Sequence, residues 1–93
     1  SSNLVGNNVV MWSGDHIGHH TKIDDNCFIT SHVVISGLCK RANNCFFGVN
    51  STVANVVSIG DFTVVGAAAN VVKELEGERV YVGNPAKEIK KIT

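Results

Sequence analysis

The sequence predicts an all-β chain wound into a parallel β-helix of six-residue repeats, and two repeating positions carry this prediction. Stepping by six from Val5, ten of eleven residues are apolar, with Arg41 as the exception. Four places after each of these, ten of eleven residues are small or β-branched, with Asp15 as the exception. The first set is Val5, Met11, Ile17, Ile23, Ile29, Ile35, Arg41, Phe47, Val53, Ile59 and Val65; the second is Val9, Asp15, Thr21, Cys27, Val33, Cys39, Cys45, Ser51, Val57, Thr63 and Ala69. A period of six fits neither an amphipathic helix nor a simple alternating strand.

Each hexad corresponds to one short strand and one corner, and three hexads close a triangular turn. Eleven hexads therefore give about 3.7 turns, with strands of successive turns ~4.8 Å apart. The two patterned positions point toward the axis and form the core. Asn8, Asn26 and Asn44 are spaced by 18 residues and fit corners in the left-handed αL backbone. Glycine follows the lead residue in five hexads, which indicates a corner conformation that a Cβ would oppose.

The chain is expected to divide into a β-helix over residues 1–75 and a C-terminal cap over residues 76–93. The cap is predicted to begin with a loop at Glu76–Glu78 and a strand at Arg79–Val82. A turn at Asn84-Pro85 and a short helix from about Ala86 are predicted to follow. A cap of this kind covers the open end of a repeat protein.

The composition excludes several function classes. Eight Lys and Arg residues balance eight Asp and Glu residues, which excludes a strongly basic nucleic-acid-binding domain. No stretch approaches the about 18 apolar residues of a membrane span, and the first residues lack a signal-peptide pattern, so a cytoplasmic protein without membrane contact is expected. Three cysteines without close paired spacing argue against a disulfide framework and a zinc ribbon, and no metal is expected.

Three segments resemble one known family. Ile17–His20, Asn44–Ser51 and Val82–Lys87 are similar to the hexapeptide-repeat acyltransferases, in particular to the acetyltransferases of nucleotide-linked amino sugars and sialic acid. The resemblance covers nearly the whole chain and implies a left-handed parallel β-helix. It further implies acetyl transfer from acetyl-CoA to an amine or hydroxyl of a sugar, at sites between the subunits of a homotrimer. The left hand rests on the resemblance alone, because the general preference of parallel crossovers is right-handed.

The same resemblance implies the catalytic residues. The family's catalytic histidine corresponds to His19, 26 residues before Cys45. A histidine titrates near neutral pH and can remove the acceptor proton during attack on the thioester. The acidic neighbour that the family usually carries is replaced here by His20, which can orient a ring but stabilises an imidazolium poorly. Without a catalytic role, both histidines would be residues of a solvated turn.

Contacts to acetyl-CoA are also carried over from the family, where backbone groups along the β-helix bind the co-substrate. The matching positions are Gly37, Val49, Ala67 and Pro85. The N–H near Gly37 could donate to the thioester oxygen as negative charge develops on it. Turn geometry alone would also explain each of these four residues.

Two other function classes remain open at the level of sequence. The chain could be an inactive trimeric scaffold, or a fragment without the sugar-nucleotide domain that relatives carry before the repeat. Alternatively, His16, His19 and His20 could bind zinc, as in β-helical carbonic anhydrases, although their spacing differs from the His-x4-His pair of that class.

One outward column is apolar throughout and predicts an interface. It consists of Val10, Phe28, Phe46 and Val64, and it is expected to meet a neighbouring subunit near that subunit's His19 corner. The alternative is that the C-terminal segment of the same chain covers it. Arg41 at an inward position is expected to distort the helix locally or to shift the hexad register, because an unpaired buried guanidinium is costly.

Overall fold

Short strands separated by tight turns build the whole fold. The structure, a computed structural model, describes residues 4–37, 40–41 and 43–92, and of residues 40–41 it describes the backbone. Twelve two-residue strands follow one another: β1 (Leu4–Val5), β2 (Val10–Met11), β3 (His16–Ile17), β4 (Lys22–Ile23), β5 (Phe28–Ile29), β6 (Val34–Ile35), β7 (Lys40–Arg41), β8 (Phe46–Phe47), β9 (Thr52–Val53), β10 (Ser58–Ile59), β11 (Val64–Val65) and β12 (Asn70–Val71). Two longer strands, β13 (Arg79–Val82) and β14 (Lys87–Lys91), end the chain.

The strands form the three sides of a parallel β-helix of about four turns. Sheet 1 contains β1, β4, β7 and β10; sheet 2 contains β2, β5, β8, β11, β13 and β14; sheet 3 contains β3, β6, β9 and β12. The register advances by 18 residues for each turn, so that Val10 pairs with Phe28 and Phe28 pairs with Phe46. This confirms the hexapeptide repeat. The turns between the sheets are named corner 1–2, corner 2–3 and corner 3–1 after the sheets that they join.

The predicted inward positions form one shared core. Ile23, Ile29 and Ile35 are buried in a single cluster, and Ile17 packs against it. The second inward position is also buried from Thr21 to Ala69 where the structure describes it. Val5 and Met11 hold the same lead position in the first turn, yet both are exposed, because no turn among the described residues lies over them.

Corner 1–2 confirms the αL prediction. Asn8, Asn26 and Asn44 have φ angles of 57°, 62° and 61°. Asparagine tolerates this region because its short side chain can bond locally. The residues just before them, Asn7, Asp25 and Asn43, link successive turns. The side-chain oxygen of Asp25 accepts a hydrogen bond from the Asn7 N–H at 2.7 Å, and the side-chain oxygen of Asn43 accepts one from the Asp25 N–H at 2.9 Å.

The glycines after the lead position serve a different purpose from the one predicted. Gly18 and Gly48 do not adopt a positive φ. A Cβ at Gly18 would lie 2.4 Å from the Gly37 nitrogen, and one at Gly48 would lie 2.6 Å from the Ala67 nitrogen. Glycine is therefore required by the close approach of the backbone one turn further along, and the predicted conformational reason is wrong.

The cap contains a strand where the sequence predicted a helix. Arg79–Val82 is the strand β13 as predicted and pairs in parallel with β11. The segment after Ala86 is the strand β14, antiparallel to β13, so the predicted short helix is wrong. Five residues are too few for a stable isolated helix, and pairing with β13 gives their backbone groups partners. The described residues contain no helix, and hence none that could cross a membrane.

The hexad register is kept through Arg41. Ile59 pairs with Arg41, and Ser58 pairs with Lys40, as the 18-residue spacing requires. The predicted register shift is therefore absent at this strand. The side chain of Arg41 lies outside the described part of the chain, and so does Cys39.

Candidate active site

Corner 3–1 carries the predicted catalytic residues. Gly18 follows β3 and leaves room for the Gly37 backbone one turn further along, and the next two residues, His19 and His20, are exposed. His20 has a φ of 58°, a region in which histidine is enriched over most other residues. The two ring centroids are 6.4 Å apart and the rings are tilted by 46°. Within the described residues no hydrogen bond holds either ring, so both imidazoles are available to a ligand.

Gly37 lies directly beside His19. It occupies the same corner one turn further along, and a Cβ placed on it would be 3.2 Å from the His19 carbonyl oxygen. The Gly37 carbonyl accepts a hydrogen bond from the Val56 N–H at 3.2 Å. The structure thus brings the backbone of His19 next to Gly37 at the same corner.

Two residues of this corner were missed by the sequence reasoning. Asn55 and Val56 continue the column of His19 and His20 two turns further along. The Asn55 side-chain oxygen lies 4.0 Å from the position of a Cβ on Gly37. The 18-residue spacing would have identified both residues, because it assigns every residue to one of three corners.

The other predicted co-substrate residues lie elsewhere on the protomer. Val49 and Ala67 belong to corner 2–3, where the Ala68 N–H donates to the Val49 carbonyl at 2.8 Å. Pro85 lies in the turn between β13 and β14, and the next residue, Ala86, donates its N–H to the Asn70 carbonyl at 2.9 Å. Within one chain these three residues are therefore not brought together with His19.

Asp15 is an inward carboxylate at the end of corner 2–3. Its Oδ1 accepts a hydrogen bond from the Val33 N–H at 2.8 Å, and its Oδ2 is buried without a partner among the described residues. Burial raises the pKa of Asp15, whereas the bond from Val33 and the charge of His32 act in the opposite direction. Asp15 is thus held by a backbone partner although it breaks the apolar pattern of the inward positions.

No metal site is evident in residues 4–37, 40–41 and 43–92. His16 is exposed on sheet 3, while the His32 ring packs over Gly14 at corner 2–3. Among these residues no three His, Cys, Asp or Glu side chains are close enough to hold an ion together.

A groove of about 380 Å³ lies at the C-terminal end of the β-helix. It is lined by Lys73, Glu74, Leu75, Glu76, Tyr81, Ala86, Lys87 and Glu88. Arg79 contacts Glu76 at 2.9 Å and Glu88 at 3.0 Å, which ties the loop to β14. Burial raises the pKa of Tyr81, whose hydroxyl donates to the Glu76 carbonyl at 2.9 Å.

The apolar column on sheet 2 is only partly covered. Phe28 and Phe46 stack edge to face at 5.6 Å, and Trp12 packs on Phe28 at 5.4 Å. The C-terminal segment does not lie over them, because β13 extends the edge of sheet 2 beyond Val64. Sheet 2 and corner 3–1 are on opposite sides of the β-helix, since this corner joins the other two sheets.

Comparison with known proteins identifies relatives for most of the chain. A UDP-3-O-acylglucosamine N-acyltransferase of Campylobacter lari is 39% identical over 69 residues, which are 74% of this chain and 22% of that protein. The chain therefore spans about a fifth of the length of the curated relatives it matches. No family model matches the sequence.

Solved structures agree on the fold. A perosamine N-acetyltransferase variant from Caulobacter crescentus, in complex with CoA and GDP-perosamine, superimposes with a TM-score of 0.93 at 25% identity, over 96% of this chain and 42% of that one. A UDP-N-acetylglucosamine O-acyltransferase from Moraxella catarrhalis gives a TM-score of 0.95 at 26% identity, over 98% of this chain and 35% of that one. The chain is a left-handed parallel β-helix and a homologue of the hexapeptide-repeat acyltransferases.

Proposed function

We propose that this chain contributes the catalytic β-helix of an acetyltransferase that moves acetyl from acetyl-CoA to an amine or hydroxyl of a sugar. The observation that carries the proposal is the position of Gly37 one turn beyond the exposed His19, where a Cβ built on Gly37 would be 3.2 Å from the His19 carbonyl oxygen. The likeness to a perosamine N-acetyltransferase in complex with CoA supports both the donor and the class of acceptor. Residues 1–75 form the catalytic repeat and residues 76–93 form the cap, which contributes Pro85.

The reaction follows from two groups at corner 3–1. The acceptor nitrogen or oxygen attacks the thioester carbonyl while His19 Nε2 or Nδ1 takes the proton that it loses. A backbone N–H near Gly37 donates to the thioester oxygen as it becomes an oxyanion. Collapse of the tetrahedral intermediate breaks the C–S bond, and the CoA thiolate leaves and takes the proton from the His19 imidazolium, which restores the base. His20 stands in the place of an acidic neighbour, with its ring centroid 6.4 Å from that of His19.

A homotrimer would complete the site. Corners 3–1 and 2–3 both flank sheet 3, so a threefold ring with sheet 3 toward its axis would bring corner 3–1 of one copy against corner 2–3 of the next. His19 and Gly37 would then face the neighbouring copy's equivalents of Val49, Ala67 and Pro85. The interface predicted from sequence, in which the sheet 2 column of one copy meets the next copy near its His19 corner, is a different arrangement of the copies and stays a prediction.

Thiol release from acetyl-CoA tests this function. The protein is mixed with acetyl-CoA and, in separate reactions, with UDP- and GDP-linked amino sugars and with sialic acid. Acceptor-dependent thiol release with at least one of them is expected, with the reaction without acceptor as the control. If acetyl-CoA neither raises the unfolding temperature nor releases thiol with any acceptor, the inactive scaffold is the better description.

A further inference from the structure

The position after the lead residue changes in character along corner 2–3. In successive turns it holds Trp12, Thr30, Gly48 and Gly66. The two glycines add no side chain to the corner, and a Cβ on Gly48 would lie 2.6 Å from the Ala67 nitrogen. The first turn carries an indole instead, and Trp12 is the only aromatic residue that follows a lead residue in any hexad. Corner 2–3 therefore presents a large side chain at one end and glycine backbone toward the other.

The Trp12 indole is fixed on one side and open on the other. Its backbone N–H donates to the Ile29 carbonyl at 2.9 Å, and its ring meets Phe28 edge to face, with the planes at 65°. The side chain is still 53% exposed, and no described residue accepts a hydrogen bond from the indole N–H. An aromatic side chain with an accessible apolar face and an unused donor is typical of a binding surface.

Trp12 lies at almost the same level along the β-helix as His19. Seven positions separate them, which is about 2 Å along the axis at ~4.8 Å for each 18-residue turn. In the proposed homotrimer, a threefold axis parallel to the β-helix carries each residue to its equivalent at the same level. Corner 2–3 of the next copy then presents its Trp12 at the level of His19. The co-substrate positions Val49 and Ala67 follow His19 by 30 and 48 residues, and so lie about 8 Å and about 13 Å further along the axis.

We propose that Trp12 is an acceptor-binding residue of the neighbouring copy's site, where its indole packs against the apolar C–H face of the sugar ring that His19 deprotonates. This inference rests on the proposed function and on the homotrimer. A pyranose carries C–H groups on its faces and hydroxyls at its rim, which match a flat apolar ring with one N–H donor at its edge. The level of Trp12 assigns it to the acceptor, because the residues proposed for the donor lie further along the axis.

Fluorescence tests the contact in the wild-type chain, because Trp12 is its only tryptophan. The acceptor identified by thiol release should shift the emission maximum and protect the indole from quenching by acrylamide. Acetyl-CoA alone should change neither. An acceptor that is acetylated but leaves both signals unchanged would overturn the inference.

Kinetics of Trp12→Ala test the contribution to binding. The KM for the acceptor should rise about tenfold with little change in kcat, while the KM for acetyl-CoA stays within about twofold of the wild-type value. Trp12→Phe keeps a flat ring and should recover most of the loss. Phe62→Ala is the matched control, because Phe62 is an exposed aromatic residue at corner 1–2, away from the site. A trimer that dissociates in sedimentation of Trp12→Ala would assign the indole to a contact between copies and overturn the inference.

Mixed trimers test whether Trp12 acts across the interface. His19→Ala and Trp12→Ala chains are co-expressed with different tags, and trimers that contain both are purified. Each mixed ring has one site with an intact His19 from one copy and an intact Trp12 from the next. Acetyl transfer at low acceptor concentration should therefore exceed that of either variant alone, and the absence of a gain would contradict the proposal. A wild-type chain that acetylates no acceptor would refute the proposed function as well, and this result is distinguishable because it needs no variant.

Discussion

Asp15 accepts a hydrogen bond from the Val33 backbone one turn away through one carboxylate oxygen, while the other oxygen is buried without a partner among the described residues. The bonded oxygen helps to join the first turn of the β-helix to the second. The buried oxygen makes ionisation unfavourable, which is why burial is the main cause that raises the pKa of Asp15 above its ordinary value of 3.8.

The raised pKa determines how stability depends on pH. The folded chain holds the Asp15 proton more tightly than the unfolded chain, so the ionised carboxylate destabilises the fold above the folded-state pKa. The loss of stability caused by the ionised Asp15 carboxylate is absent below pH 3.8 and grows as the pH rises through the folded-state pKa. Asp15→Asn keeps an acceptor for Val33, and its free energy of unfolding should exceed that of the wild type by an amount that increases with pH.

Urea unfolding between about pH 4 and pH 8 measures this difference. Asp24→Asn is the control, because it removes a partly exposed carboxylate that pairs with Lys22 at 3.5 Å. An exposed pair of this kind is worth about 0 to 1 kcal/mol. A pH-independent difference for Asp15→Asn would contradict the account of Asp15.

Ser51 is a buried residue whose hydroxyl lacks a hydrogen-bond partner within the described structure. Ser51→Ala should leave the free energy of unfolding unchanged or raise it by about 1 kcal/mol, because a buried hydroxyl without a partner carries a desolvation cost. Thr63→Val is the matched comparison, since the Thr63 hydroxyl donates to the Gly60 carbonyl at 2.7 Å. It should lower the free energy of unfolding by about 1 kcal/mol. A larger loss for Ser51→Ala than for Thr63→Val would mean that Ser51 has a partner.

Phe46 and Phe47 are neighbours on β8 that point to opposite sides of sheet 2. Phe47 is fully buried, whereas Phe46 is 37% exposed. Phe47→Ala should cost about 3–5 kcal/mol through the cavity that it leaves, measured by urea unfolding, and Phe47→Leu serves if the alanine variant does not fold. Phe46→Ala removes mainly the edge contact with Phe28 and should cost about 1 kcal/mol. Equal costs would contradict the assignment of inside and outside.

The role of His20 predicts a pH effect on catalysis. His20→Glu introduces the carboxylate that the family resemblance implies at this place, and a carboxylate favours the charged form of a neighbouring imidazole. The acidic limb of the kcat/KM profile should therefore move to higher pH. His20→Asn is the control, because asparagine tolerates the αL backbone without adding charge. An identical shift in both variants would argue against an electrostatic partnership with His19.

Much of the fold could be predicted because the information is local and periodic. The lead residues from Ile17 to Ile35 follow the six-residue period without an insertion, and they meet in one core. The cap could not be predicted in the same way. Its last segment, Lys87–Lys91, is a strand because it pairs with β13, a partner that no local pattern indicates.

The candidate site also has a part that the repeat predicts and a part that it does not. The 18-residue spacing puts Gly37 one turn beyond His19, and a Cβ built on Gly37 would be 3.2 Å from the His19 carbonyl oxygen. The location of Val49 and Ala67 on a different corner follows from the same count. Corners 3–1 and 2–3 would come together only between copies of the chain. The arrangement of the copies depends on the shape of the whole surface, and no sequence motif specifies it.

The reaction rate of His19→Ala tests the central claim most directly. With an acceptor identified by thiol release, kcat should fall by about 10²- to 10⁴-fold. The affinity for acetyl-CoA, measured by calorimetry, should stay within about twofold of the wild-type value. Added imidazole should restore part of the rate, because it replaces the missing base. A kcat that remains at the wild-type value would contradict the assignment of His19 as the general base, and with it the account of how this β-helix transfers an acetyl group.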